Sequence, residues 1–416
     1  MKKSLFITFF VLMGSLLAGS LFGAEITVPS VEVASRGGTV DNDNFGISSS
    51  LAADFSVTGG YKYGITLGLG MEVSNLEKAL SYGRLDPNFD FSSGKTEEFV
   101  ERYNNQAVLS FRSLKATARE VFDKPLEINF FIGHNDKLGS GDEFPELFGT
   151  APLGTGLKGF FYYPEGLNND PFFRFNGAIH SIKGTGLSLK AVLGNFVPSL
   201  YIYSDLSFPE GKTADAQGKS YYSGHYSADA RLLINQENIK IEAFLGGTYR
   251  NDKDPILRGG ALAWFGTNAF GLLMQAGITY WEFGETLGLD NCYFLVEPQL
   301  RFGTVGANLT LFYHPLWYQN RIIYEKDDNT IKDDGRVDVN LRLFYNDTVK
   351  SAFTAGVETR VNLKMEDKGN FDLWVSPFFS TATSGMLWDF MVRIKPKNFP
   401  DKKDLMDVFI GIRTAF

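Results

Sequence analysis

The strongest constraint in this sequence is a two-residue alternation of apolar and polar side chains that recurs along most of the chain. Because successive side chains on a strand point to opposite faces, each such stretch predicts a strand with one apolar and one polar face. The clearest stretches cover residues 45–57, 61–73, 239–250, 305–314, 336–345, 353–364, 386–395 and 405–416. The sequence therefore predicts an all-β protein.

Helical patterns are largely missing. Long windows with apolar residues at i, i+3 and i+4 do not occur, and no second long, purely apolar run follows residue 24. The high content of glycine (44 residues) and of aromatic side chains (15%) suits many short strands. If this chain spans a membrane, it is expected to do so as a closed barrel.

The first residues have the pattern of a secretory signal peptide. Lys2 and Lys3 precede an uncharged, largely apolar segment, and small residues follow at positions 18–20, 23 and 24. We expect a signal peptide at residues 1–24, with cleavage after Ala24 or after Ser20, and a single barrel domain at residues 25–416. The alternative is an uncleaved membrane anchor.

The connections between the predicted strands are of two kinds. The short ones lie at residues 59–60, 184–186, 236–238, 303–305, 346–348 and 384–385, and the long polar ones at residues 75–98, 137–170, 209–219, 321–335 and 396–403. Strict alternation of short and long connections is typical of transmembrane antiparallel up-and-down β-barrels, which have short periplasmic turns and long extracellular loops. Counting strands, with residues 26–34 as the first, predicts about 18. Sixteen is the alternative if the pair near residues 255–265 is miscounted.

The last strand carries a resemblance to a known class of proteins. Met406, Val408, Ile410, Ile412, Thr414 and Phe416 share one face. This ending resembles the C-terminal strand of bacterial outer-membrane β-barrels, where a terminal phenylalanine is part of what the barrel-assembly machinery recognises. The resemblance implies a porin-like protein of the outer membrane, with Phe416 as an assembly signal and with outer-membrane lipid and the assembly machinery as partners. It leaves the oligomeric state open.

The polar faces of the predicted strands would line the lumen. The candidate pore-lining residues are Arg231, Lys240, Glu242, Arg301, Arg336, Asp338, Arg342, Glu358, Arg360, Asp389 and Arg393. Both signs are interspersed, so strong ion selectivity is not expected. A barrel of this size normally leaves a channel, and we expect an open, water-filled lumen. The alternative is that the charges pair across strands and fill a narrower one.

Two aromatic-rich regions have specific predicted places. Residues 137–170 show little alternation and include Phe144, Phe148, Leu157, Phe160, Phe161, Tyr162 and Tyr163. This segment is expected either to fold into the lumen and narrow it or to extend above the membrane as a hairpin. The pairs Tyr201 with Tyr203, Tyr221 with Tyr222 and Trp317 with Tyr318 suit aromatic girdles at the membrane interfaces.

No catalytic or metal-binding motif is apparent. His225 lies near Ser223, Ser227 and Asp229 on one strand face, as in a catalytic triad, but this spacing also follows from strand alternation. The histidines are scattered, the single Cys292 is expected to face lipid, and the net charge of −8 argues against nucleic acid as a partner. No enzyme activity, cofactor or metal is expected.

The predicted function is that of a porin-like channel for passive diffusion of small solutes. The alternatives are a transporter for hydrophobic compounds similar to the fatty-acid transporters, an adhesin on a sealed barrel, and a barrel enzyme.

Overall fold

The computed structural model describes residues 24–39, 45–60, 62–73, 107–155, 178–205, 212–214, 220–222, 225–250, 253–267, 269–314, 336–346, 353–364, 371–383, 385–399 and 405–414. Most of these residues are in strands. The long strands are β1 Ala24–Thr39, β2 Phe45–Gly59, β3 Tyr63–Val73, β4 Ala107–Ala118, β5 Leu126–Leu138, β6 His180–Ala191, β7 Phe196–Asp205, β10 His225–Gln236, β11 Ile239–Arg250, β12 Lys253–Gly266, β13 Phe270–Glu282, β14 Cys292–Phe302, β15 Val305–His314, β16 Arg336–Tyr345, β17 Phe353–Lys364, β18 Phe371–Thr383, β19 Met386–Ile394 and β20 Met406–Thr414. Two short strands, β8 Lys212–Ala214 and β9 Ser220–Tyr222, form a separate hairpin.

The long strands form one antiparallel sheet of eighteen. Each pairs with the long strands before and after it in the chain, with β7 followed by β10. β1 pairs with β2 on one side and with β20 on the other, where Glu32 lies opposite Arg413. Every long strand therefore has two neighbours, so the backbone hydrogen bonds that a membrane would leave unsatisfied are made within the sheet. The prediction of a transmembrane up-and-down barrel of about 18 strands is confirmed.

The two faces of the sheet differ in burial and chemistry. On β10, Ser227, Asp229 and Arg231 are buried, whereas Tyr226 and Leu232 on the opposite face are exposed. On β20, Phe409 is buried and Ile410 is exposed. A large exposed apolar surface around a closed sheet is the surface that faces lipid in a membrane barrel, so the predicted outward apolar face is confirmed.

The chain turns tightly at one end of the barrel. Gly60, Gly303 and Gly385 each have a positive φ in the connections that follow β2, β14 and β18. Gly60 is required because a Cβ there would lie 2.0 Å from the carbonyl oxygen of Tyr63. Most of the predicted short turns lie at this end.

The turn predicted at residues 184–186 is wrong. These residues lie inside β6 and pair with both β5 and β7, and the chain turns instead at residues 192–195. The two glycines serve a close approach of neighbouring strands: a Cβ on Gly186 would lie 2.4 Å from that of Tyr203. A glycine within a strand often has this role, and in a single sequence it resembles a turn signal.

The prediction of strictly alternating short and long connections is also wrong at one position. β11 and β12 are joined by residues 251–252 alone, at the end that otherwise carries the long connections. The weak pair near residues 255–265 is nevertheless real, since β12 and β13 form an antiparallel ladder with one register shift between Leu257 and Gly259. Among the residues described, no helix is long and apolar enough to cross a membrane.

Candidate functional site

The barrel interior contains a segment of the chain that follows β5. Gly139 and Gly141 donate their backbone N–H groups to Oε1 and Oε2 of Glu242 on β11, at 2.9 and 2.8 Å. Strands β5 and β11 are not neighbours in the sheet, so these groups meet across the inside of the barrel. Residues 139–155, which we call the infolded segment, therefore lie within it.

Further contacts hold the infolded segment along the inner wall. The amide of Gln275 on β13 donates to the carbonyl of Gly139 at 2.5 Å. Thr155 donates to Glu297 on β14 at 2.5 Å, and Gln299 donates to the carbonyl of Gly154 at 3.3 Å. The segment thus crosses the inner faces of several strands. For residues 139–155, folding into the lumen is confirmed and the hairpin extension is not; residues 156–177 lie outside the described part.

An apolar patch on the inner wall receives this segment. The segment contains a short helix, α1 Phe144–Phe148, which starts with Pro145 in its first turn and ends at Gly149 with φ +64°. Its apolar side chains pack against buried side chains of β5 to β15. The resulting cluster comprises Phe131, Leu138, Phe144, Leu153, Ile179, Ile182, Val197, Tyr201, Tyr203, Leu233, Phe244, Leu262, Leu273, Tyr293, Leu295 and Phe312, with Leu147, Phe148 and Trp264 at its edge. Alternation predicted a polar inner wall, whereas this part of the inner wall is apolar.

An ionic network centred on Arg231 joins the infolded segment to the wall. Arg231 donates to Glu143 at 2.5 Å and lies 3.8 Å from Glu242. Glu143 also accepts from Lys190 at 3.1 Å. These groups are largely buried, and each carboxylate faces at least one cation. Loss of one partner would leave an uncompensated charge in a poorly hydrated interior.

A second buried network lies on β7, β10, β11 and β12. Arg258 makes two parallel hydrogen bonds to Asp229, at 2.8 and 2.6 Å, and a third to the Tyr203 hydroxyl at 3.0 Å. Ser227 donates to Asp205 at 2.8 Å and contacts Thr248 at 2.7 Å. Ser227 and Asp229 are thus engaged in this network, which gives no support to the triad arrangement. Ser223 lies outside the described residues.

The predicted interfacial girdle is wrong for Tyr201 and Tyr203. Both rings are buried inside the barrel. The Tyr201 hydroxyl donates to Asp136 at 2.7 Å and the Tyr203 hydroxyl to Asp229 at 2.8 Å. A tyrosine suits a site with an apolar body and one polar partner, and an interior network offers this as well as a membrane interface does. The structure does not describe the side chains of the other predicted girdle residues, Tyr221, Tyr222, Trp317 and Tyr318.

The inner face of β16 to β20 combines arginines with aromatic rings. Arg360 makes two hydrogen bonds to Asp338, at 3.0 and 2.8 Å, and its Cζ lies 5.8 Å from the ring centre of Trp374. Arg342 lies over Phe378 at 4.4 Å and Arg393 over Phe409 at 4.7 Å. Such contacts reduce the mobility of long cationic side chains. This wall therefore holds its charges in fixed places.

The inner faces of β2 and β4 are more open. Asp54 and Arg112 form an ion pair at 3.5 Å and retain 49% and 37% of their side-chain exposure. Both lie on the inward face, since Phe111 on the opposite face of β4 is an exposed apolar residue. Gly70 lies between them on β3, and a Cβ there would lie 2.2 Å from Nε of Arg112. The Arg112 side chain thus occupies the space that a side chain at position 70 would fill, and it remains partly exposed.

The predicted pore-lining residues are placed as follows. Arg231, Lys240, Glu242, Asp338, Glu358, Arg360, Asp389 and Arg393 are buried on the inner face, Arg342 is half-buried there, and Arg301 is exposed near the end of β14. The side chain of Arg336 and all of Phe416 lie outside the described residues. Sequence reasoning did not select Arg258, Asp136, Glu143 or Gln275. Arg258 occupies an inward position of β12, but the adjacent Gly259 and Gly260 blur the alternation there.

The described residues contain no group of three or more His, Cys, Asp or Glu side chains placed to hold a metal ion. The carboxylate of Asp389 on β19 accepts a hydrogen bond from Ser380 on β18 at 2.6 Å.

Comparison with solved structures supports the fold. No protein-family model matches the chain, and no curated protein matches it. The structure is similar to OccAB4 of Acinetobacter baumannii, with a TM-score of 0.50 and 11% identity, over 94% of this chain and 97% of that one. OccAB3 of the same organism follows with a TM-score of 0.47, 9% identity and coverage of 94% and 98%. A mutant of the Rh. blastica porin has a TM-score of 0.41, 10% identity and coverage of 94% and 100%. The likeness to OccAB4 agrees with the porin-like barrel fold.

Proposed function

We propose that this protein is an outer-membrane channel through which small polar solutes pass by passive diffusion, without a covalent step. The observation that carries the proposal is the contrast between two parts of the inner wall. The infolded segment covers the wall from β5 to β15, whereas Asp54 and Arg112 on β2 and β4 remain about two-fifths to one-half exposed. Charged side chains that face inward and keep this exposure border water. The water-filled path is thus bounded by the infolded segment on one side and by β2–β4 on the other.

The position of the path predicts which charge matters for ion flow. A charge beside the path acts on passing ions within about a Debye length, roughly 10 Å at 0.1 M salt. We expect Arg112→Glu to shift the reversal potential toward cations, measured on purified protein in planar bilayers under a salt gradient. Lys124→Glu makes the same charge change at an exposed short turn outside the lumen. It should have a much smaller effect.

The outcome also separates the alternative functions. Discrete conductance steps that respond to Arg112→Glu support the channel. Protein that inserts but never conducts would contradict it and favour the adhesin on a sealed barrel. Uptake of hydrophobic compounds without ion conductance would favour the transporter.

A further inference from the structure

The inner wall at β15, β16 and β17 contains a row of buried amides with unsatisfied hydrogen-bonding atoms, although Nδ2 of Asn362 donates to Asp338 at 2.9 Å. Both amide atoms of Asn340 are without a partner, as is Oδ1 of Asn308 and of Asn362, and all three side chains are more than nine-tenths buried. The register places Asn308 opposite Arg342 and Asn362 opposite Asp338. The three amides thus lie on one diagonal of the sheet, which we call the asparagine row.

An unsatisfied buried amide costs free energy, and several in a row indicate a place where another molecule completes the hydrogen bonds. An amide offers both donors and acceptors, so its complement is a group that also does both. A hydroxyl is such a group. Hydroxyls spaced along a short carbon chain would match amides at diagonal positions of neighbouring strands.

The charges beside the asparagine row are balanced. Among the described side chains of β16 and β17, Arg360 is held by two hydrogen bonds to Asp338, and Arg342 lies opposite Glu358 in the register. The two carboxylates offset the two guanidinium groups. This composition does not favour a solute of either charge.

Aromatic rings complete the surroundings. Trp374 lies opposite Arg360 on β18, and Phe378 lies beneath the guanidinium of Arg342. Ring faces of this kind pack against the C–H face of a polyol chain or sugar, while amides bind its hydroxyls. Arg342 and Arg360 flank the shorter Asn340 on the inner face. Arg360 is held by two hydrogen bonds to Asp338, and we expect a solute to reach the row beside the half-buried Arg342.

We propose that the asparagine row is a binding subsite for small, uncharged, polyhydroxylated solutes within the channel. The inference rests on the proposed channel function and specifies which solutes that channel retains. If the subsite binds the solute, the rate of uptake saturates at high solute concentration. Uptake by simple diffusion rises in proportion to concentration instead.

The test compares two solutes of nearly equal size and shape that differ in charge. Purified protein in proteoliposomes is given radiolabelled sorbitol or gluconate, and initial uptake is measured against concentration. The wild-type protein should show saturable sorbitol uptake and a weaker, less saturable uptake of gluconate. Asn340→Leu and Asn308→Leu should raise the half-saturation concentration for sorbitol about tenfold, the effect of losing one or two hydrogen bonds.

The matched control is Ser199→Ala. It also removes a buried polar group without a hydrogen-bond partner, here a hydroxyl, and it lies on β7, away from the asparagine row. It should leave sorbitol saturation unchanged. Both leucine variants remove unsatisfied groups and should fold, which retention of the heat-modifiable band on gels verifies. KCl conductance of each preparation is measured first, so that the affinity refers to open channels.

The outcomes distinguish this inference from the proposed function. A wild-type channel that conducts KCl but takes up sorbitol linearly with concentration overturns the subsite, and the amides then bind water alone. Gluconate that saturates at a lower concentration than sorbitol overturns the preference for uncharged solutes. Protein without KCl conductance overturns the channel itself and the subsite with it.

Discussion

Asp338 and Arg360 show how the interior stabilises charge at the level of single residues. The two side chains lie close to one another on adjacent strands and make two parallel hydrogen bonds. Alternation along each strand predicted that both face inward, because the side-chain period of a strand is two. It did not predict that they pair, since pairing depends on the register between two strands and on side-chain conformations that a single sequence does not reveal.

We expect Arg360→Met to lower the free energy of unfolding by about 3–5 kcal/mol, because it leaves the buried carboxylate of Asp338 without its cation. The measurement is denaturant unfolding in lipid vesicles, followed by heat modifiability. Asp338→Leu combined with Arg360→Met removes both charges and should restore most of the stability. Equal destabilisation by the single and the double variant would contradict this account of the pair.

At the level of elements, the infolded segment is the feature that sequence reasoning resolved least. Its aromatic side chains indicated two places for it, the lumen or a hairpin above the membrane. The deciding information is the apolar patch on the inner wall, which includes Phe131, Leu262 and Leu295. On these strands both faces carry apolar residues, so alternation is weak and the inner patch resembles the lipid-facing side. The turn predicted at residues 184–186 is wrong because a single sequence does not show whether a glycine lies in a turn or at a close approach of two strands.

Glu242 is the wall residue whose loss should release this segment. It accepts the backbone N–H groups of Gly139 and Gly141, and without it these buried donors have no acceptor, at about 1–3 kcal/mol each. We expect Glu242→Ala to increase single-channel conductance and to expose residues 139–155 to proteolysis. Glu237→Ala changes the same residue type at the exposed turn between β10 and β11. Glu237→Ala should change neither the conductance nor the proteolysis of residues 139–155. Equal proteolysis of both variants would contradict the anchoring role of Glu242.

For the whole molecule, the strand count and the outward face were predictable because they depend on a pattern repeated many times along the chain. An error at one turn, such as that at residues 184–186, changes no side chain's face elsewhere. The position of the water-filled path was not predictable, because it depends on which part of the wall the infolded segment covers.

The orientation of the wall can be tested by cysteine labelling in a Cys292→Ser background. Leu341 is exposed on the outer face and Arg342 half-buried on the inner face of β16. We expect Leu341→Cys to react with a membrane-soluble thiol reagent, and Arg342→Cys to react only with a small water-soluble one. The opposite pattern would contradict the assignment of inside and outside for this strand.

The pairing of β1 with β20 has a consequence for how the barrel folds. The other ladders of the eighteen-stranded sheet join long strands that are consecutive in the chain, whereas this one joins residues 32–37 to residues 408–413 and closes a loop of nearly the whole chain. Contacts of such sequence separation form slowly, because the entropy of loop closure must be overcome before the contacts compensate for it. Until β1 and β20 pair, they present two unpaired edges that can add strands from other chains. The interval before closure is therefore when the nascent barrel is most prone to aggregate, and when a chaperone that shields strand edges would be most effective.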